Sequence, residues 1–276
     1  MKISLLKAFT VLTFFISFNL YAQFAGENPL APETAGSKIL LGPVFGYNSV
    51  MHSADKLATF AGDAYCPYFD GGTGQGFFAG LTYEMPFGKA EESVSSLIFK
   101  VLYSTYPGNM DIPGDEFPSL VPDQQSATEV SIIRTSTNHT LDISYSVVAL
   151  EVFYKQNISV DLPLGVVAGP SIEIPIQKDV LQEFHLIADN NIQFSEVPGF
   201  QYSADRRTVI LKDGPMDNAN GVRIGLKVGI QYELIPLEGW LMVPHLFYNF
   251  SILNVKSDED YRINLFQVGV DFRYAF

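Results

Sequence analysis

The last sixteen residues of the chain, YRINLFQVGVDFRYAF, alternate without a break between two kinds of side chain. Successive side chains of a β-strand point to opposite faces, so one face here is wholly apolar and aromatic. The other face is polar or small and carries Asp271 and Arg273. A soluble sheet would bury the apolar face, whereas a strand in lipid would turn it outward. The apolar face ends in Phe272, Tyr274 and Phe276, which favours a strand in lipid.

Seven further stretches alternate in the same way. The eight predicted strands cover about 38–50, 75–87, 96–106, 141–155, 161–176, 222–234, 240–255 and 261–276. Their polar faces carry glycine and charge, which could not hold a soluble barrel together, so we place the apolar faces outside. The sequence therefore predicts an all-β fold, an eight-stranded antiparallel up-and-down transmembrane β-barrel.

The lengths of the connections support this prediction. Short links follow the second, fourth and sixth strands, whereas the links 51–74, 107–140 and 177–221 are long. Short periplasmic turns at one rim and long extracellular loops at the other are typical of outer-membrane barrels. Within the last of these links, Val180, Leu181 and Phe184 have helical spacing, which predicts a short helix at the rim.

The N-terminus has the pattern of an export signal. Lys2 and Lys7 precede an apolar stretch that ends near Ala22, which predicts a signal peptide over 1–22. A short periplasmic tail over 23–36 and a barrel over 37–276 would follow. Cys66 is the only cysteine, so an internal disulfide is excluded. The net charge of −13 argues against a nucleic-acid partner.

The signal peptide, the eight strands, the long loops and the terminal Phe276 resemble the small Gram-negative outer-membrane β-barrel family, both OmpA-type and PorT-like. Residues 162–171 and 225–232 resemble the PorT-like branch in style. The resemblance implies an outer-membrane location in contact with outer-membrane lipid. It also implies that the barrel-assembly machinery reads the C-terminal strand through Phe272, Tyr274 and Phe276. OmpA-type proteins often continue into a peptidoglycan-binding domain, whereas this sequence ends on its last predicted barrel strand. We therefore expect no anchoring to the cell wall by that route.

Strand parity also predicts what fills the barrel. It places a polar network inside, composed of Glu84, Lys100, Glu151, Glu173, Arg223, Lys227, Glu233, His245, Asp271 and Arg273. Five acids nearly balance four bases, and eight strands leave room only for side chains. These numbers favour a structural plug over a pore, which would carry rings of one sign. We further predict hairpin registers that set Glu84 opposite Lys100 and His245 opposite Asp271.

No pattern in the sequence indicates a catalytic, metal or cofactor site. The four histidines lack the paired spacing of metal ligands. The glycine-rich stretch 70–76 lacks the ending of a phosphate-binding loop, and we interpret it as a mobile loop. The acids at 258–260 could hold a divalent cation, although solvation is the simpler interpretation. His245 and Ser251 should both face inward, away from any lipid acyl chain.

The sequence thus leads to three functional hypotheses. The first is a non-enzymatic outer-membrane barrel with a role in envelope structure, adhesion or secretion assembly. In it the acidic loops, which include Asp111, Asp115, Glu116 and 258–260, would contact an extracellular or envelope protein partner. The second is a small-solute channel similar to a porin. The third, disfavoured by the missing catalytic residues, is a lipid-modifying enzyme.

Overall fold

The computed structural model describes residues 39–57, 68–87, 94–113, 119–122, 132–159, 162–187, 192–194, 198–237 and 239–276. These residues form β-strands joined by turns and loops. In this part of the chain no helix is long and apolar enough to cross a membrane. The predicted signal peptide 1–22, the tail 23–36 and Cys66 lie outside the described residues.

The described residues form fourteen strands in chain order. They are β1 (Leu40–Leu57), β2 (Phe69–Pro86), β3 (Ser95–Thr105), β4 (Gly108–Ile112), β5 (Ser119–Pro122), β6 (Ile132–Thr135), β7 (Thr137–Asn157), β8 (Leu164–Leu186), β9 (Gln201–Tyr202), β10 (Thr208–Pro215), β11 (Arg223–Tyr232), β12 (Leu234–Leu237), β13 (Trp240–Ser251) and β14 (Tyr261–Ala275).

Eight of these strands close into a ring. Around the ring each strand pairs antiparallel with the next, in the order β1, β2, β3, β7, β8, β11, β13, β14 and back to β1. Strand β4 continues β3 along β7, β12 continues β11 along β13, and β10 adds to the far end of β8. The predicted eight-stranded antiparallel barrel is confirmed.

Several strands extend further toward the long loops than the sequence predicts. Strand β1 ends at Leu57 and β2 begins at Phe69, so the stretch 70–76 is strand and not a mobile loop. Its glycines are needed there, because a Cβ on Gly74 would lie 1.8 Å from the carbonyl oxygen of Pro107. The link between the two strands is reduced to residues 58–68.

Strand β8 also corrects the predicted helix at the rim. It continues as strand to Leu186, and a bulge changes its register between the pairs Val147↔Pro175 and Ser146↔Gln177. A bulge inserts one residue and exchanges the two faces of the strand beyond it. Val180 and Phe184 consequently point inward on a strand, with buried side chains. Leu181 has the opposite parity and is only partly buried, so the spacing that suggested a helix combines residues from both faces of a strand.

The polarity of the outward-facing residues changes along the height of the barrel. We call the part nearest the short turns the lower half; its outward residues are apolar, as in Phe45, Leu81 and Val228. The upper half consists of the strand extensions toward the long loops, residues 49–57, 69–75, 108–112, 137–146, 176–186 and 261–264. Its outward residues include Ser53 and Asp142, which are exposed.

Aromatic side chains mark both limits of the lower half. Near the upper half lie Tyr47, Phe77, Tyr103 and Phe250, and near the short turns lie Tyr83, Tyr232, Trp240, Tyr274 and Phe276. The outward run from Phe266 to Phe276 rises ~3.3 Å per residue and, at a tilt of ~45°, spans ~23 Å. Both the height and the two aromatic girdles match a band that faces lipid.

Candidate functional site in the barrel interior

The ten predicted interior residues all face the inside of the lower half. Nine of them are at most 5% exposed, and the side chain of Glu233 is 17% exposed because it lies at the rim of the short turns. All of them except Glu233, which lies between β11 and β12, come from strands whose alternate residues carry the outward apolar band. The faces of the strands therefore bring together charges from six strands of the ring.

Arg273 lies at the centre of the network nearest the short turns. Its guanidinium pairs with Glu84 from β2 and, through Nε at 3.1 Å, with Asp271 from its own strand. Asp271 also receives the Lys100 ammonium, 3.1 Å away. Two acids and two bases from β2, β3 and β14 thus neutralise one another across the interior.

Lys155 joins the same network, although the predicted interior residues do not include it. Its ammonium bridges Glu84 and Glu233, and its side chain is only 6% exposed. The signal was present, because Lys155 shares strand parity with Glu151. With Lys155 included, the lower half of the described barrel holds five acids, Glu84, Glu151, Glu173, Glu233 and Asp271, and five bases, Lys100, Lys155, Lys227, Arg223 and Arg273.

A second group of charges lies closer to the upper half. Lys227 of β11 pairs with Glu151 of β7. Arg223 pairs with Glu173 at 3.1 Å, and its guanidinium packs over the rings of Tyr106 and Tyr145. Glu173 also accepts hydrogen bonds from Asn249 at 2.8 Å and from the Tyr106 hydroxyl at 3.2 Å. Each of these carboxylates has a cation and nearly no access to solvent.

Both predicted hairpin registers are wrong by two residues. Opposite Lys100 lies Thr82, and Glu84 lies opposite Ile98 instead of Lys100. Opposite Asp271 lies Val243, and His245 lies opposite Gly269. The imidazole Nδ1 of His245 is 3.7 Å from the Asp271 carboxylate, so the two still approach each other across a diagonal. The ring packs against Phe78 and Phe247.

The described residues contain no group of three or more histidine, cysteine or acidic side chains that could hold a metal ion. His245 and Ser251 do not form a catalytic pair. The histidine Nδ1 lies 3.3 Å from the carbonyl oxygen of Val243, while the Ser251 hydroxyl donates to that of Leu253. The arrangement is suited to filling the barrel.

The acids at 258–260 pair with cations of the chain itself, Asp258 and Glu259 with Lys256 and Asp260 with Arg262 at 3.0 Å. Lys256 is 3% exposed, and its ammonium lies 2.8 Å from Glu259 and 3.7 Å from Asp258. Asn218 donates a hydrogen bond to Asp258 at 2.8 Å, which lowers the pKa of that carboxyl. This segment thereby ties the loop before β11 to the loop before β14.

The ring of eight strands, the outward apolar band and the filled interior define the class of small membrane-type β-barrels. Among solved structures, the chain is similar to Neisserial surface protein A (TM-score 0.34, 11% identity, covering 86% of this chain and 97% of that one). It is also similar to Ail, the attachment invasion locus protein of Yersinia pestis (TM-score 0.35, 10% identity, 85% and 98%). No protein-family model and no curated protein matches the sequence. These likenesses are weak, and the assignment rests on the strand pairing.

Proposed function

We propose that the protein is an integral outer-membrane barrel without enzymatic activity. In this proposal the lower half spans the membrane and the upper half stands outside the cell, in a structural, adhesive or secretion-assembly role. The support is the reversal of the outward face, from apolar side chains such as Leu81 to polar ones such as Ser53. Lipid favours the first surface and water the second.

The filled interior supports a non-conducting barrel over the alternative, a small-solute channel. Charges of opposite sign are paired across the lower half, as in Lys227 with Glu151, and offer no ring of one sign to a passing ion. Above them the upper half is closed by apolar side chains such as Val50, Leu141 and Ile263, each fully buried. The two blocks lie in series, so opening either one alone leaves the other in place.

Conductance tests this choice directly. The refolded barrel in a planar lipid bilayer should carry little or no steady current, beside a porin measured under the same conditions. Replacing both members of one ion pair of the lower half, Glu151→Ala with Lys227→Ala, should leave the current low because the apolar block of the upper half persists. Steady, ion-selective conductance of the unsubstituted barrel would contradict the proposal and favour the channel.

Labelling of intact cells tests the orientation. In a background with Cys66→Ser, a membrane-impermeant maleimide should react with Ser53→Cys, which lies on the outside of the upper half. It should spare Ser159→Cys, in the short turn between β7 and β8, until the cells are broken. The reverse pattern would place the long loops in the periplasm and remove the basis for an adhesive role.

Two partners belong to the same proposal. The C-terminal strand with Phe272, Tyr274 and Phe276 would be read by the barrel-assembly machinery, and the acidic loops would contact an extracellular or envelope protein. Deleting Phe276 should lower the amount of folded barrel in the outer membrane, measured by its shift on unheated gels.

Exposed Asp111 and Asp142 lie on neighbouring strands of the upper half. Neutralising both to Asn should weaken cell attachment to a cationic surface and leave folding intact.

A further inference from the structure

His52 occupies a site in the upper half that is built around its ring. It lies on β1, where its neighbours in register are Gly72 on β2 and Ile263 on β14. A Cβ on Gly108 would lie 2.5 Å from the imidazole Nε2, so only glycine leaves room for the ring. The histidine is 4% exposed. It is therefore enclosed by three other parts of the barrel wall.

Its hydrogen bonds determine which nitrogen carries the proton. The Nε2 atom lies 3.0 Å from the carbonyl oxygen of Pro107, which can only accept, so Nε2 carries the hydrogen. The Nδ1 atom lies 2.6 Å from the hydroxyl of Tyr261 and must accept from it. The two rings are also stacked, with centroids 5.9 Å apart. The contact as built requires a neutral imidazole.

No carboxylate acts on this ring among the described residues. The titratable groups that face it are Tyr261 from β14 and the Arg223 cation from β11, while β2 and the β3–β4 junction contribute glycine and Pro107. Burial lowers the pKa of His52 to about 4, against the opposing effect of the bond to Pro107, and Arg223 lowers it further. Burial also raises the pKa of Tyr261, which keeps its proton.

We propose that the contact of His52 with Tyr261 and Pro107 is acid-sensitive. It links β1 to β14 and to the β3–β4 junction, and protonation of His52 breaks it and favours local opening of the upper half. The proton binds Nδ1, so the Tyr261 hydroxyl can no longer donate there and must rotate to accept from Nδ1–H, which turns its own hydrogen away from this partner. Around Tyr261, Val255 and Ile263 are aliphatic, the Tyr145 hydroxyl is the polar group that acts on it, and the Arg223 cation disfavours an added positive charge on His52. This inference does not depend on the proposed function.

The direction follows from the two pKa values. Closed, the ring titrates at about 4; open, at 6.5, so it stabilises the closed form above pH 6.5 and less as the pH falls toward 4. Between pH 7.5 and pH 5 the opening equilibrium should rise about 30-fold from His52. His139, buried in the same half with its pKa also lowered to about 4 by burial, should add a second factor of about 30.

Hydrogen exchange measures the opening. The barrel in lipid nanodiscs is compared at pH 7.5 and pH 5, with each rate corrected for the intrinsic pH dependence of amide exchange. Protection should fall by hundreds-fold in residues 49–57 and 261–264 and stay unchanged in residues 266–275 of the lower half. Unchanged protection in the upper half, or an equal fall in both halves, would overturn the proposal.

Two substitutions test whether the His52 contact causes the acid-induced fall in protection. His52→Gln stays neutral at every pH, so the acid-induced fall in protection should become about 30-fold smaller. The matched control is His185→Gln in the same half, because that side chain is already 37% exposed, and it should leave the fall unchanged. An unaltered fall in His52→Gln would reject the role of this ring. Should that variant not refold, the size of the fall in the unsubstituted barrel still decides, because His139 alone accounts for about 30-fold and a fall no larger than that would reject the role of His52.

Discussion

The two halves of the barrel are built from the same strands and have opposite arrangements of side chains. Along β1, Phe45 and Tyr47 face outward and Asn48 faces inward in the lower half. A few residues later Ser53 and Asp55 face outward and Val50 faces inward. The geometry of the strand is continuous, so the change must come from the surroundings. What lies outside the wall decides which face of each strand is apolar.

The halves also differ in what stabilises them. The upper half buries aliphatic and aromatic side chains such as Ile263, at roughly 25 cal/mol per Å² of apolar surface. The ion pairs of the lower half contribute less, because removing two charges from water costs about as much as their attraction returns. Its closed ring of backbone hydrogen bonds and its apolar outer face therefore account for most of its stability in lipid.

The largest effect should follow from an unpaired charge in the lower half. Lys227→Met leaves Glu151 buried without its cation and should lower the free energy of unfolding by about 3–5 kcal/mol. Urea titration of the barrel in lipid vesicles measures it. The double variant Lys227→Met with Glu151→Leu should recover most of the loss, since an apolar pair can replace a buried ion pair at little cost.

An exposed ion pair of the long-loop region provides the control. Lys212 lies 3.1 Å from Asp217, whose side chain is 57% exposed. Lys212→Met should change the free energy of unfolding by less than about 1 kcal/mol. A loss as large as that of Lys227→Met would show that the two regions do not differ in how they treat charge.

The next largest difference in stability between the halves should come from a lysine substituted on the outer surface. Leu81 is 59% exposed near the middle of the outward apolar run of β2. Leu81→Lys should cost about 2–4 kcal/mol in the same titration, because the ammonium would face hydrocarbon. Ser53→Lys on the outside of the upper half should stay within about 0.5 kcal/mol. Equal costs at the two sites would move the boundary of the lipid band.

Truncating a valine should have a smaller and again unequal effect. Val50→Ala removes two methyl groups from the packed interior of the upper half and should cost about 2 kcal/mol. Val228→Ala, on the outward face of the lower half, should cost little because lipid tails fill the space. The midpoints of unfolding compare the two variants. A larger loss at Val228 would indicate a protein contact on that face.

The same contrast explains what the sequence could predict. Alternation identified all eight strands, because a lipid-facing run such as 266–276 is apolar on one face throughout. Alternation did not identify the strand extensions of the upper half, since their outward residues are polar and their apolar residues point inward. Beyond Ile176 the bulge on β8 exchanged the faces as well, and no local signal marks it.

The alternation of side chains could not predict the hairpin registers, for a different reason. A slip of one residue would turn every side chain to the wrong face, so alternation excludes it. A slip of two residues keeps every face and changes only the partners, as happened for Glu84 and His245. The interior residues were therefore predictable, while their pairings depend on turn geometry that alternation does not encode. Lys155 was predictable by parity and was overlooked.

The last contrast comes from His139, because the effect of replacing it should depend on pH. The ring packs between Phe69 and Phe184, with centroids 4.5 and 4.2 Å away. His139→Phe places a third apolar ring there but removes the acceptor of the hydrogen bond that the buried Gln182 amide donates to His139 Nε2 at 2.8 Å, so it should lower the free energy of unfolding at pH 7.5 by about 1–3 kcal/mol.

At pH 5 the same variant should cost less stability than it does at pH 7.5. Burial lowers the pKa of His139 to about 4, so the histidine contributes stability above pH 6.5 that is lost as the pH falls toward 4. Phenylalanine removes that loss, about 2 kcal/mol at pH 5. Urea titrations at the two pH values measure the difference. If both forms lost stability equally on acidification, the titration of His139 would have no part in the acid response of the upper half.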